Sequence, residues 1–171
     1  MAGGHKDFGD LLDSISIGVG RAISWLTLLM VIVTFIIVVL RYVFGMGWIW
    51  LQESLTWMHA VVFMLGAAYT FQQEQHVRVD IFYRKMSDKR RAWVDFLGVL
   101  VFIFPLCAFF VYTSMDYAAT SWSMREVSRN SGGLPFPFIP LLKSVLIIMP
   151  VAVALQGLSL FLRSAQVIRK R

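Results

Sequence analysis

Four apolar runs, at about 22–40, 48–71, 96–112 and 141–162, constrain this chain more than anything else in it. Each is close to the roughly 20 residues that a helix needs to cross a hydrocarbon layer of about 30 Å. The chain is 58% hydrophobic and 15% charged, where a soluble domain averages about 45–50% apolar and about 25% charged. That apolar excess has to face something other than water. Inside lipid the backbone must satisfy its own hydrogen bonds, and the runs lack the period-two alternation of a barrel strand, so helices are what remains. The expected fold class is all-α: an integral membrane protein with four transmembrane helices, forming a single membrane domain over residues 1–171. The first run is too long for a signal-peptide core, follows an acidic flank (Asp7, Asp10, Asp13), and precedes no small-x-small cleavage site. It is expected to stay as the first helix.

Charge gives the expected orientation. With four spans, Lys6, Arg21, the loop after the second span (Arg78, Arg84, Lys85, Lys89, Arg90, Arg91) and the tail (Arg163, Arg169, Lys170, Arg171) share one face, which holds 12 of the 16 basic residues. Arg41, Arg125, Arg129 and Lys143 hold the other. The positive-inside rule then places both termini in the cytoplasm and explains the basic pI of 9.8 through topology and anionic lipid, with no nucleic acid required. The loop "EQHVRVDIFYRKMSDKRR" (74–91) reads as an interfacial segment between helices 2 and 3, with Phe82, Tyr83 and Met86 interleaved among charges. Ser87 and Asp88 read as a helix start with a hydroxyl cap and a carboxylate at the positive end of the dipole. A helix from Asp88 to about Ala119 would be about 48 Å long, so it should project, tilt or bend at Pro105.

Few side chains look chemical. Cys107 is the single cysteine, which excludes an internal disulfide, a CxxC pair and a thiolate zinc site. His59 lies within a span, but His76 is 17 residues further on, about 25 Å along a helix, so one haem cannot bridge them. Glu53 is an intramembrane carboxylate and therefore a functional candidate. It shares a helix face with Trp50, Trp57, Ala60, Met64 and Ala67. Two roles remain open for it: an interfacial partner of Arg41 or of a neighbouring subunit, or a proton or ion site. A coupled transporter gathers polar groups and broken helices near the midplane, and no such gathering is visible.

In the first span Gly20, Ser24, Thr27, Val31 and Thr34 recur at four-three spacing, a helix-packing seam toward another helix of the chain or toward a partner. Gly66, Ala67 and Ala68 suggest the same in the second span. The stretch "SRNSGGLPFPFIP" (128–140) has glycines for positive φ and prolines that bar helix, and reads as an ordered turn. No nucleophile–base pair, carboxylate dyad or metal-ligand spacing appears, so a non-enzymatic role without cofactor or metal is expected. Four spans are also too little protein to enclose a solute pathway alone. A self-sufficient proton-coupled transporter would have to act as a homo-oligomer.

The order "RYVFG" (41–45), "WLQESLTW" (50–57), "LGAAYT" (65–70) and "HVRVDIFYRKMS" (76–87) resembles the small membrane subunit, DctQ-like, of tripartite ATP-independent periplasmic (TRAP) transporters. The similarity runs over nearly the whole chain. It implies a sodium-coupled importer of organic acids in the bacterial inner membrane: a periplasmic substrate-binding protein, a large multi-span subunit moving as an elevator, and this small scaffold subunit, all among membrane lipids. By the same match Arg41, Glu53, Trp57, His76, Arg78 and Asp80 are the residues expected to fix helix ends and the loop against the partner.

Overall fold

The computed structural model describes residues 4–72 and 86–169, and among these it is helical with no strand. Four helices are long and apolar enough to cross a membrane. Helix α1 spans Gly4–Tyr42, α2 Ile49–Gln72, α3 Asp88–Ser123 and α4 Phe138–Arg169. The interfacial segment expected at 74–91, with His76, Arg78 and Asp80, lies mostly outside the described residues.

The helices form a row in which α2 packs between α1 and α4, and α4 packs between α2 and α3. Burial follows this order: none of the most apolar stretch of α1 is buried within the chain, against 28% of that of α4. Helix α4 is therefore the axis of the structure and α1 its edge. At 1.5 Å per residue α1 is about 58 Å long, α3 about 54 Å and α4 about 48 Å, all well beyond a hydrocarbon core. Because consecutive helices alternate in direction, the beginnings of α1 and α3 and the ends of α2 and α4 lie together. We call this the tail end; the opposite end carries the α1–α2 turn and the α3–α4 loop.

Small residues set the closest approaches. A Cβ on Gly20 would lie 2.6 Å from the Tyr69 ring, so only glycine lets α1 reach α2 there. A Cβ on Gly157 would lie 3.2 Å from Ile103 and 3.4 Å from Val99, where α4 meets α3. Phe96 stacks on Phe161 nearby, with ring centroids 4.3 Å apart. Gly66, by contrast, faces open space and makes no close approach within the chain.

Helix α3 shows how a proline is absorbed without a break. Its first stretch, Asp88–Gly98, is α-helical, Val99–Ile103 is a π turn, and Phe104–Ser123 is α-helical again. Pro105 has no N–H to give and its ring would strike the carbonyl one turn back. The wider turn accommodates this, with the Phe104 N–H reaching five residues back to the Val99 carbonyl. The adjustment falls just before Pro105 and shifts the hydrogen-bond register by one residue. Ser87 does occupy the N-cap position, but its hydroxyl caps nothing; Asp88 instead faces Arg91 at 3.9 Å.

At its far end α3 closes with a Schellman motif. The Glu126 N–H bonds the Ser121 carbonyl at 3.0 Å and the Arg125 N–H bonds that of Trp122 at 3.2 Å, with Arg125 at φ 49°. Arg125 is thus an arginine in a position that suits glycine.

Candidate functional site

Among the described residues, the densest polar chemistry is where the start of α2 meets the loop 124–137. Glu53 lies one turn into α2, half-buried. Its Oε1 accepts from the Ser128 hydroxyl at 2.6 Å and from the Asn130 amide at 2.8 Å, and its Oε2 accepts from the Leu134 backbone N–H at 2.7 Å. The loop is folded to make this possible. Ser128 N–H bonds the Leu134 carbonyl, Asn130 N–H bonds the Ser128 hydroxyl, and Gly133 N–H bonds the Asn130 carbonyl, drawing all three donors toward one carboxylate. Gly132 supplies a φ of 77°, and its carbonyl accepts the Trp50 N–H at 3.0 Å, satisfying one of the free donors at the start of α2. Gly133 leaves room for the carboxylate: a Cβ there would lie 2.6 Å from Glu53 Oε2 and would strike the Ser128 hydroxyl.

Trp57, one turn further along the same face, donates its indole N–H to the Phe138 carbonyl at 2.9 Å and meets the Phe138 ring edge-on. So Trp50, Glu53 and Trp57 together fasten the loop between α3 and α4 and the first residue of α4. Trp122 and Ser144 tie α3 to α4 beside them at 2.9 Å, and Trp122 packs edge-on against Phe136. The Phe136–Pro137 peptide is cis.

A second fastening adjoins the first. The Lys143 ammonium bonds Glu126 at 2.5 Å and lies 3.9 Å over the Tyr117 ring. The side chains are 14% and 24% exposed, so the pair is partly shielded from water. The bond from Lys143 is the main reason the Glu126 carboxyl sits below the usual carboxylate range, with burial opposing it. A hollow of about 540 Å³ opens beside it, between Ala60 and Met64 of α2 and Leu142, Val145 and Leu146 of α4.

Of the residues singled out from the sequence, the structure brings Glu53 and Trp57 to this site. Arg41 takes no part: it is exposed near the end of α1. The pairing of Glu53 with Arg41 is therefore corrected, because the loop donors saturate the carboxylate. His59 is exposed and stacks on Phe63 of its own helix at 6.4 Å. In the seam, Gly20 is buried by Tyr69, whereas Ser24, Thr27, Val31 and Thr34 face outward. The Ser24, Thr27 and Thr34 hydroxyls bond carbonyls of their own helix. Sequence reasoning missed Ser128, Asn130, Leu134, Glu126 and Lys143. The signal for the first three is the turn-forming "SRNSGGL" (128–134), a stretch whose inward donors need an acceptor.

Among the described residues no group of three His, Cys, Asp or Glu could hold a metal ion. The site's chemistry is that of a lock: donors from one loop close on one carboxylate, and aromatic N–H groups tie the flanks. Searches of curated proteins and of solved structures gave no match. The family described as "Tripartite ATP-independent periplasmic transporters, DctQ component" matches residues 30–167, which include the described parts of α2 and α3, the loop and nearly all of α4. This multi-pass membrane protein therefore belongs to the DctQ family and is a small membrane component of a TRAP transporter.

Proposed function

We propose that this chain is the scaffold subunit of a sodium-coupled importer of organic acids in the bacterial inner membrane. In this reading both termini lie in the cytoplasm, the α3–α4 loop faces the periplasm, a large elevator-type subunit carries solute and sodium, and a periplasmic binding protein delivers the solute. The chain stiffens the stationary part of the complex. The observation that carries the reading is the saturation of Glu53 by Ser128, Asn130 and Leu134, which commits the one carboxylate of α2 to holding a loop rather than to carrying an ion. The basic residues around the tail end support the orientation. Arg41, His76, Arg78 and Asp80 complete it as residues that fix helix ends and the α2–α3 connection against the large subunit. Asp80→Ala should lower the yield of intact complex.

The test is reconstitution. The three-part system in liposomes should take up an organic acid when a sodium gradient is imposed, and Glu53→Gln in this chain should leave the sodium dependence unchanged. This chain alone should move neither solute nor protons. Solute-driven proton flux by the isolated chain, abolished by Glu53→Gln, would instead establish a self-sufficient proton-coupled homo-oligomer.

A further inference from the structure

One carboxylate within a span is held by nothing. Asp116 lies in the second half of α3, two turns before the helix ends at Ser123. It is exposed, and within the chain it makes no hydrogen bond or ion pair among the described residues. Its neighbours on the same helical face are exposed as well: Thr113 one turn before it, Thr120 one turn after it, and Tyr112, which is 81% exposed. The Thr113 and Ser123 hydroxyls on this part of α3 turn back to carbonyls of their own helix, so neither donates to the carboxylate. Trp122, bound to Ser144, marks the headgroup layer at this end, and Asp116 is about 9 Å deeper along the helix. A carboxylate facing hydrocarbon at that depth is strongly disfavoured unless a cation or donor meets it. Alongside, past Tyr112, runs an apolar groove of about 570 Å³ between α3 and α4, floored by the small residues Cys107, Ala108 and Ala154. Such residues allow another helix to come close.

We propose that this face of α3 is a docking surface for a transmembrane helix of the large subunit, which lays apolar side chains into the groove and presents a lysine or arginine to Asp116. The inference rests on the scaffold reading and adds to it a place and a charge. Helix α1, although also uncovered, carries no charged residue between Arg21 and Arg41 and sets no such requirement within that stretch.

The test places the photoreactive p-benzoylphenylalanine at position 113 in the full chain, expressed with its partners, and irradiates native membranes. The expected product joins this chain to a transmembrane peptide of the large subunit that contains lysine or arginine. The same residue placed at position 63 of α2, whose phenylalanine is 70% exposed, should give none. In parallel, Asp116→Asn should weaken association of the two membrane subunits about tenfold or more, the loss expected when one member of a shielded charge pair is removed. Products only with lipid or with a second copy of this chain, or undiminished association of Asp116→Asn, would overturn the proposal while an intact copurified complex leaves the scaffold reading standing. If no large subunit copurifies with the unmodified chain, both fall.

Discussion

Replacing Glu53 by alanine removes the acceptor for three donors at once, and the structure allows the cost to be worked out. The Asn130 amide is exposed and can turn to water, so it counts for little. The Ser128 hydroxyl and the Leu134 N–H are more enclosed, and Leu134 is only 6% exposed, leaving its N–H without a replacement partner. Hydrogen bonds to a charged group contribute about 1.5–3 kcal/mol each, and they are not additive on one carboxylate. A loss of about 3 kcal/mol for the loop follows, which is on the order of a hundredfold in its opening equilibrium. Glu53→Gln keeps one acceptor and sets its amide against a donor, so about 1–2 kcal/mol is expected. The assay is amide hydrogen exchange of the purified full chain, read on peptides covering 126–137. Exchange at Ser128 and Leu134 should accelerate on the order of a hundredfold in Glu53→Ala and about tenfold in Glu53→Gln, while the middle of α4 is unchanged. Exchange at Leu134 within twofold of the parent in Glu53→Ala would show that the loop holds itself and that the carboxylate is incidental.

Further outcomes follow from the same geometry. Gly133→Ala should reproduce the Glu53→Ala exchange pattern, because its methyl would displace the carboxylate and the Ser128 hydroxyl; an unaltered pattern would mean the loop shifts freely. Arg125→Gly should raise the melting temperature of the chain, since glycine takes the left-handed position at the end of α3 without the roughly 1 kcal/mol that a side chain costs there. Gly20→Ala should lower thermal stability by forcing Tyr69 aside, whereas Gly66→Ala should be neutral or slightly stabilising, and equal effects would contradict the packing of α1 on α2. The Glu126 carboxyl titrates lower in the folded chain than its ordinary value of 4.5, so what it contributes is fully present above that pH and is lost as pH falls through the lowered value. Protection of the loop, taken relative to the intrinsic exchange rate at each pH, should therefore be flat at neutral pH and fall only in acid, with Lys143 and Arg129 as the charges facing the group, and Glu126→Gln should remove that part of the dependence.

Helix number and approximate place were legible because a hydrocarbon layer asks one thing of a sequence, length without charge, and the runs answer it. What the runs could not show is where helices continue past the membrane. For α3 the pair Ser87 and Asp88 supplies what the apolar run does not, and the helix does begin at Asp88; α1 has no such marker, and its extension back to Gly4 lies where hydropathy falls but helix does not. Glu53 was legible as a residue of interest since a carboxylate in a span needs a partner. Its partner was misjudged because charge was matched to charge: Arg41 is near in sequence, whereas Leu134 lies 81 residues away and offers only a backbone N–H. Asp116 escaped notice for the opposite reason. The helix expected to about Ala119 takes it in, but the apolar run 96–112 stops short of it, so hydropathy alone does not single it out.

The reach of the Glu53 bond to Leu134 has a consequence for how the chain is made. Helices α1 and α2 leave the ribosome and enter the membrane as a first hairpin, carrying a carboxylate whose partners have not been synthesised. At about 5–20 residues per second, the intervening 81 residues take roughly 4–16 s to appear. Throughout that interval Glu53 must be served by water, which keeps the start of α2 at the surface. Only when the second hairpin has inserted and its connecting loop has arrived on the same side can the carboxylate be enclosed. Closure of the loop over Glu53 thus requires that α3 has been inserted in the orientation that brings its following loop to the side of Glu53. A chain stalled or inverted at its third helix would keep an unsatisfied acid where cellular quality control can find it.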